Sequence, residues 1–251
     1  MVTEIQPSPS TEGVDNQITP PSIEGDGDQC IVLRDIGWKG YTTLLRVRGK
    51  RSIPRMVYLD GSLLLLAPSH IHERLKELLG CLVMILVGEL EIPCVVAGST
   101  TFRRRAKRGG VEGDQTYYLA NLDRIRGKKK ISLKVDPPPD LAIEVVTSHE
   151  ADDAVEVYRR FRVPEVWICD ENQLTILVLQ PSGQYASAER SLAFNFLTAS
   201  ETHSWVSRSQ DSSDTAWIIE LRRWIAEVLA PRYQEQKKRA ASATDSIDGS
   251  E

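Results

Sequence analysis

Pro137-Pro138-Pro139-Asp140-Leu141-Ala142-Ile143-Glu144-Val145-Val146 is the stretch on which the reading of this chain turns. A short continuous apolar run, led in by rigid prolines, is the pattern of a central β-strand buried on both faces. Glu144 stands inside that run. A carboxylate taken out of water is costly unless it is paired, hydrogen-bonded or bound to a metal. Asp140 immediately precedes the run, and Asp114 comes just before a second strand-like stretch, Thr116 to Leu119. Carboxylates on the ends of adjacent strands can hold Mg²⁺, which needs only one or two of them besides water. The same residues also read as a Glu144–arginine pair with Asp114 and Asp140 as turn acids, because ion-pair networks place acids in such surroundings too.

Around this strand the pattern is mixed. Ile36 to Val47 suits a short helix. Met56-Val57-Tyr58, Asp60-Gly61 and Leu63 to Leu66 form a hairpin signal. Pro68-Ser69 opens a long helix to about Leu90, with Ile71, Leu75, Leu78, Leu79, Leu82, Val83, Leu86 and Leu90 on the 3.6-residue period. Cys94 to Thr100 reads as a strand, Glu150 to Phe161 as a helix, Val166 to Cys169 as a buried strand and Leu174 to Leu179 as an edge strand. Thr215 to about Lys238 is an amphipathic terminal helix. This order predicts an α/β domain.

The 251 residues are 41% hydrophobic and 26% charged, values that exclude collagen-like, wholly disordered or disulfide-scaffold chains. The longest apolar run, Leu78 to Leu90, is too short to span a bilayer, and the start lacks the pattern of a secretory signal. Cys30, Cys81, Cys94 and Cys169 are widely spaced and form no C-x-x-C pair, the usage of reduced thiols in a cytoplasmic protein. Residues 1–28 are rich in Pro, Ser, Thr, Gly and acids and read as a disordered acidic tail. The expected boundaries are then a domain over 29–205, a helical extension over 206–240 and a second disordered tail over 241–251. Net charge is −4, but residues 1–29 hold six acids and no Lys or Arg, and residues 232–251 balance four of each sign. The body, residues 30–231, therefore carries +2.

Signatures for nucleotide binding and triad hydrolysis are absent: there is no P-loop, G-x-G-x-x-G or G-x-S-x-G. His70, His72, His149 and His203 make no H-E-x-x-H and read as exposed or capping residues. Trp38, Tyr41, Tyr58, Trp167, Trp217 and Trp224 fall at apolar-face positions and read as core or interface packing.

Taken in order, several segments resemble one family. They are Ser69-His70-Ile71-His72-Glu73-Arg74-Leu75, Gly98-Ser99-Thr100-Thr101-Phe102-Arg103, Gly110-Val111-Glu112-Gly113-Asp114-Gln115-Thr116-Tyr117-Tyr118, Pro139-Asp140-Leu141-Ala142-Ile143-Glu144-Val145, and Tyr158 followed by Val163-Pro164-Glu165-Val166-Trp167. Together, from about Val32 to Glu201, they are similar to the bacterial putative restriction endonucleases common in cyanobacteria and planctomycetes, within the PD-(D/E)XK nuclease superfamily. The resemblance implies a mixed sheet flanked by helices and a Mg²⁺ (or Mn²⁺) site at Asp114 and Glu144. It also implies Asp140 as a further acid and Glu73 as an acid on the first core helix. In such a site a metal clamp would neutralise charge on the phosphodiester and activate water.

The chain departs from that pattern at the lysine expected two residues after the glutamate. That position is Val146, and the alternative stretch Asp152-Asp153-Ala154-Val155 holds no lysine either; Arg159 and Arg160 are the nearest cations. Arg103, Arg104, Arg105, Lys107 and Arg108 form one basic cluster and Arg124, Arg126, Lys128, Lys129, Lys130 and Lys134 another, the residue types that meet nucleic-acid phosphates. Metal-dependent cleavage of DNA is one expectation. The other is a degenerate nuclease fold that holds nucleic acid or a partner without cutting. A homodimer through the Trp217–Leu229 helix is a further expectation.

Overall fold

The computed structural model describes residues 27–147 and 151–248, with side chains to 242; His149 and residues 1–26 lie outside it. The chain opens with β1 (Gln29–Leu33), α1 (Trp38–Arg48), β2 (Arg55–Leu59) and β3 (Ser62–Ala67). The β2–β3 hairpin turns at Asp60-Gly61, both at positive φ, as the sequence signal requires. Next come α2 (His70–Glu89), β4 (Val95–Val96), β5 (Thr101–Arg104), β6 (Gly109–Glu112), β7 (Gln115–Tyr118) and the short α3 (Leu122–Ile125). The second half contains β8 (Leu141–Val145), α4 (Asp152–Phe161), β9 (Glu165–Cys169), β10 (Leu174–Leu179) and β11 (Tyr185–Ala188). It ends with α5 (Ala199–Ser207), α6 (Asp214–Trp224) and α7 (Ala230–Asp248).

The strands form two sheets. One has five strands in the order β1-β3-β2-β6-β5; the other has six in the order β11-β10-β9-β8-β7-β4. All pairings are antiparallel except β8 with β9, which run parallel and are joined by α4 as a βαβ crossover. The predicted mixed sheet flanked by helices is present, with a second, antiparallel sheet beside it.

Alternation along β8 divides its side chains between two cores. Leu141, Ile143 and Val145 join a cluster with α2, α5 and α6, whereas Ala142 joins Val57, Leu64, Phe102, Val111, Val157 and Tyr158 between the sheets and α4. Glu144 shares the Ala142 face and so points towards α4. Residues Leu75, Leu78, Leu79, Leu82, Val83, Leu86 and Leu90 are buried along α2, as their spacing predicts, and Ile71 packs partly buried against them.

Three elements differ from expectation. β10 is not an edge strand, because β11 pairs along it from Ile176 to Leu179. The stretch Cys94 to Thr100 supplies only two strand residues, because Gly98 at positive φ turns the chain before β5. The terminal helix passes through one π turn, Ile225–Leu229, two residues ahead of Pro231, which cannot donate to the helical ladder. It continues to Asp248, past the boundary expected near Ala241, carried by the helix-favouring Ala240-Ala241.

Candidate functional site

Asp114 lies in the turn between β6 and β7, at the C-terminal end of β8. It is 1% exposed. Its Oδ2 accepts the backbone N–H of Val145 at 2.7 Å, and its Oδ1 is 2.9 Å from His72 Nε2. The same Oδ1 is ion-paired with Arg55 Nη1. Glu144, 9% exposed, accepts the Tyr158 hydroxyl at 2.5 Å. Asp114 and Glu144 line one small cleft with Arg55, Glu112, Val145, Val146, Asp153 and Ala154. The two acids picked out by sequence are therefore brought together.

Arg55 is the residue that sequence reasoning missed. It begins β2 on the Val57 face, is 7% exposed, and reaches three partners. Besides Asp114 it donates to Glu73 Oε1 at 2.5 Å, and its Nη1 lies 3.2 Å from His72 Nε2. Period-two alternation with Val57 placed this cation on an inward face, and that was the available signal. His72, read from sequence as exposed or capping, is instead fully buried. It falls on the Leu75–Leu79 face of α2, three residues after the Ser69 N-cap. Its Nδ1 is 2.8 Å from Asp28 Oδ2, and Asp28 Oδ1 also accepts the Ser69 N–H. Asp28, assigned from sequence to the disordered tail, is thus anchored in the fold because buried His72 needs its carboxylate.

Tyr158 was quoted only as a family position. Burial and the neighbouring Glu144 carboxylate push its pKa well above the usual tyrosine range, so the hydroxyl keeps the proton it donates. Gly113 permits this contact: a Cβ there would stand 2.1 Å from the Tyr158 oxygen and 3.0 Å from Glu144 Oε1.

Asp140 is not part of the cleft. Its carboxylate accepts from Leu119 N, Asn121 N and Asn121 Nδ2 at 2.7, 3.0 and 2.7 Å, fixing the turn after β7. It precedes β8, about 13 Å of strand away from Glu144. A direct role beside the acid pair is therefore corrected to a structural one. Glu73 sits at the rim, its pKa held below the usual carboxylate range by Lys76, Arg55 and His72 against the opposing effect of burial.

A groove of about 1150 Å³ carries Arg103, Arg104 and Arg105 on one side and Lys128, Lys129, Lys130 and Lys134 on another, with Arg46 and Arg48 from α1. Parts of the two basic clusters, separated by some twenty residues in sequence, therefore line one channel. Lys107, Arg108, Arg124 and Arg126 do not line it; Arg108 pairs with Asp60 at 2.9 Å. Glu112, quoted in the motif but given no role, lines the cleft and is bonded to Arg48 and Thr101 of the groove. Arg48 Nη2 donates to Glu112 Oε1 at 2.6 Å, Met56 N donates to Oε2 at 3.0 Å, and the Thr101 hydroxyl also donates to it.

The residues do not fit a divalent cation as they are arranged. Asp114 faces a guanidinium where a metal would stand, and no group of three or more His, Cys, Asp or Glu among the described residues is placed to hold an ion. Mg²⁺ and Mn²⁺ demand oxygen donors with room for water, and beside Asp114 that room is occupied by the Arg55 guanidinium.

A helix-flanked mixed sheet with one acid in the β6–β7 turn and another on β8 is the arrangement of a restriction-endonuclease-like fold. The chain belongs to the Uma2 family, described as putative restriction endonuclease, whose pattern matches residues 38–211. A crystal structure of a putative nuclease belonging to DUF820 from Anabaena variabilis ATCC 29413 is similar at 14% identity. It covers 61% of this chain and 92% of its own length, with a TM-score of 0.45, too low to add to the family match. Comparison with curated proteins gives no match. No helix among the described residues is long and apolar enough to cross a membrane.

Proposed function

We propose that this chain binds nucleic acid, DNA in the first place, along the basic groove and presents the phosphate backbone to the cleft between Asp114 and Glu144. The observation that carries the reading is the convergence of Arg103–Arg105 and Lys128–Lys130 on one groove, whose Arg48 is ion-paired with Glu112 of the acid cleft. Lysine and arginine side chains supply most of the affinity for a phosphate backbone, without regard to sequence. Arg48, Arg103 and Arg104 arise from a helix and a strand, and such rigid supports hold charges at a fixed spacing.

Hydrolysis of the phosphodiester with Mg²⁺ or Mn²⁺ is the second reading, favoured by Asp114 and Glu144 facing the same cleft. It requires Arg55 to leave Asp114, and it proceeds without the lysine expected at Val146. One assay separates the two. Fluorescence anisotropy with a labelled duplex is measured in EDTA and again in millimolar Mg²⁺ or Mn²⁺, with the products run on a denaturing gel. Binding in EDTA and an intact duplex in either metal is the expected result. Metal-dependent fragments would establish the hydrolytic reading, and no binding in any buffer would remove both.

A further inference from the structure

Arg55 stands where a nuclease of this architecture would need a divalent cation. We infer that Arg55 is a resident cation that fills the acid pocket, so that the pocket takes up Mg²⁺ or Mn²⁺ only when this side chain is removed. This deepens the binding reading above and shares its site.

Three observations converge. The guanidinium is buried, so its charge is not dispersed by water. It is ion-paired with Asp114 and Glu73 together, the core acid and the rim acid, and lies against His72. The acids it serves come from two other parts of the chain, the β6–β7 turn and α2, so the cation ties together elements that a metal would otherwise bridge. A buried Asp114 without a cation would carry the full cost of desolvation, and Arg55 removes that cost in the absence of any ion. Arginine suits the place because its planar fork serves several acceptors at once and its proton does not leave near neutral pH.

The assignment explains the missing lysine in the sequence. A site that holds its own positive charge has no use for a metal-bound water, and therefore none for a lysine at Val146 to orient one.

The test is Mn²⁺ binding, read by calorimetry and by the loss of the free-ion electron paramagnetic resonance signal, with the full chain and no DNA. Wild type is expected to bind no Mn²⁺ at millimolar concentration. Arg55→Gln is expected to gain one site, at least tenfold tighter than any binding by wild type, and to lose it again when combined with Glu144→Gln. If Arg55→Gln does not fold, Arg55→Gln with Glu73→Gln removes one charge of each sign and takes its place with the same expected gain. A wild-type site that disappears in Glu144→Gln would overturn the inference. So would a folded Arg55 variant that binds no Mn²⁺. Neither result depends on DNA affinity, so failure here is distinguishable from failure of the binding reading.

Discussion

Asp114 gathers partners from three elements: Arg55 of β2, His72 of α2 and the backbone of β8. The acid itself was legible, because a carboxylate beside a strand of apolar residues calls for an explanation. Its partners were not, since Arg55 and His72 lie 59 and 42 residues away in sequence and only the fold brings them together. Asp28 extends the same network, and Asp28→Ala should therefore destabilise the fold by about 1–3 kcal/mol by leaving buried His72 short of an acceptor. Urea denaturation checks this, and an unchanged midpoint would show that His72 does not depend on it. Tyr158→Phe keeps the ring in the core but removes the donor from Glu144, with an expected loss of about 1–3 kcal/mol. Gly113→Ala should disturb the same hydrogen bond by displacing the hydroxyl rather than deleting it. The Tyr158→Phe and Gly113→Ala losses should then fall short of additive in the double variant, as contacts that share one partner do.

At the scale of elements, α2 was the clearest expectation because Ser69 caps it, accepting the His72 N–H at 3.2 Å, and its apolar residues keep one period. Ser69→Ala should cost about 1 kcal/mol, measured by thermal melting. The strands β1, β5, β6 and β11 were not anticipated. They are short, with too little polar–apolar alternation to announce themselves, and tertiary pairing alone makes them strands. Helix α4 holds to the β2–β3 turn through Arg160, which donates to Asp60 at 2.5 Å and to Glu156 at 2.8 Å. Hydrogen bonds from Arg159 and Arg160 hold the Glu156 pKa down to about 2 against its ordinary 4.5. A carboxylate with a lowered folded-state pKa contributes stability that is complete above the unfolded value and lost as pH falls through the folded one. The window is thus roughly pH 4.5 down to 2. The gap in melting temperature between wild type and Glu156→Gln should be small, because solvent screens the group, and should close across that window. A gap that stays constant from pH 5 to 2 would assign the effect to packing instead.

For the whole molecule, the formal charge of −4 conceals a body of +2, and nine of its 27 lysines and arginines line one groove. Sequence identified the two clusters; it could not show that they share a channel, because their meeting depends on the β5–β6 pairing and on the chain after α3. The same limit applied to Lys107 and Arg108, which belong to the first cluster in sequence yet lie outside the channel, with Arg108 held by Asp60 of the β2–β3 turn. The account stands most directly on the salt dependence of duplex DNA binding in EDTA, compared between wild type and a variant with Arg103, Arg104, Lys129 and Lys130 changed to Ala. These four are exposed and none has a carboxylate partner among the ion pairs of the described residues, so the fold should survive their loss. Wild type should bind, with log affinity falling linearly against log salt, and the variant slope should be shallower by about 0.9 for each phosphate contact removed. An equal slope for both proteins would place the nucleic acid elsewhere and contradict the account.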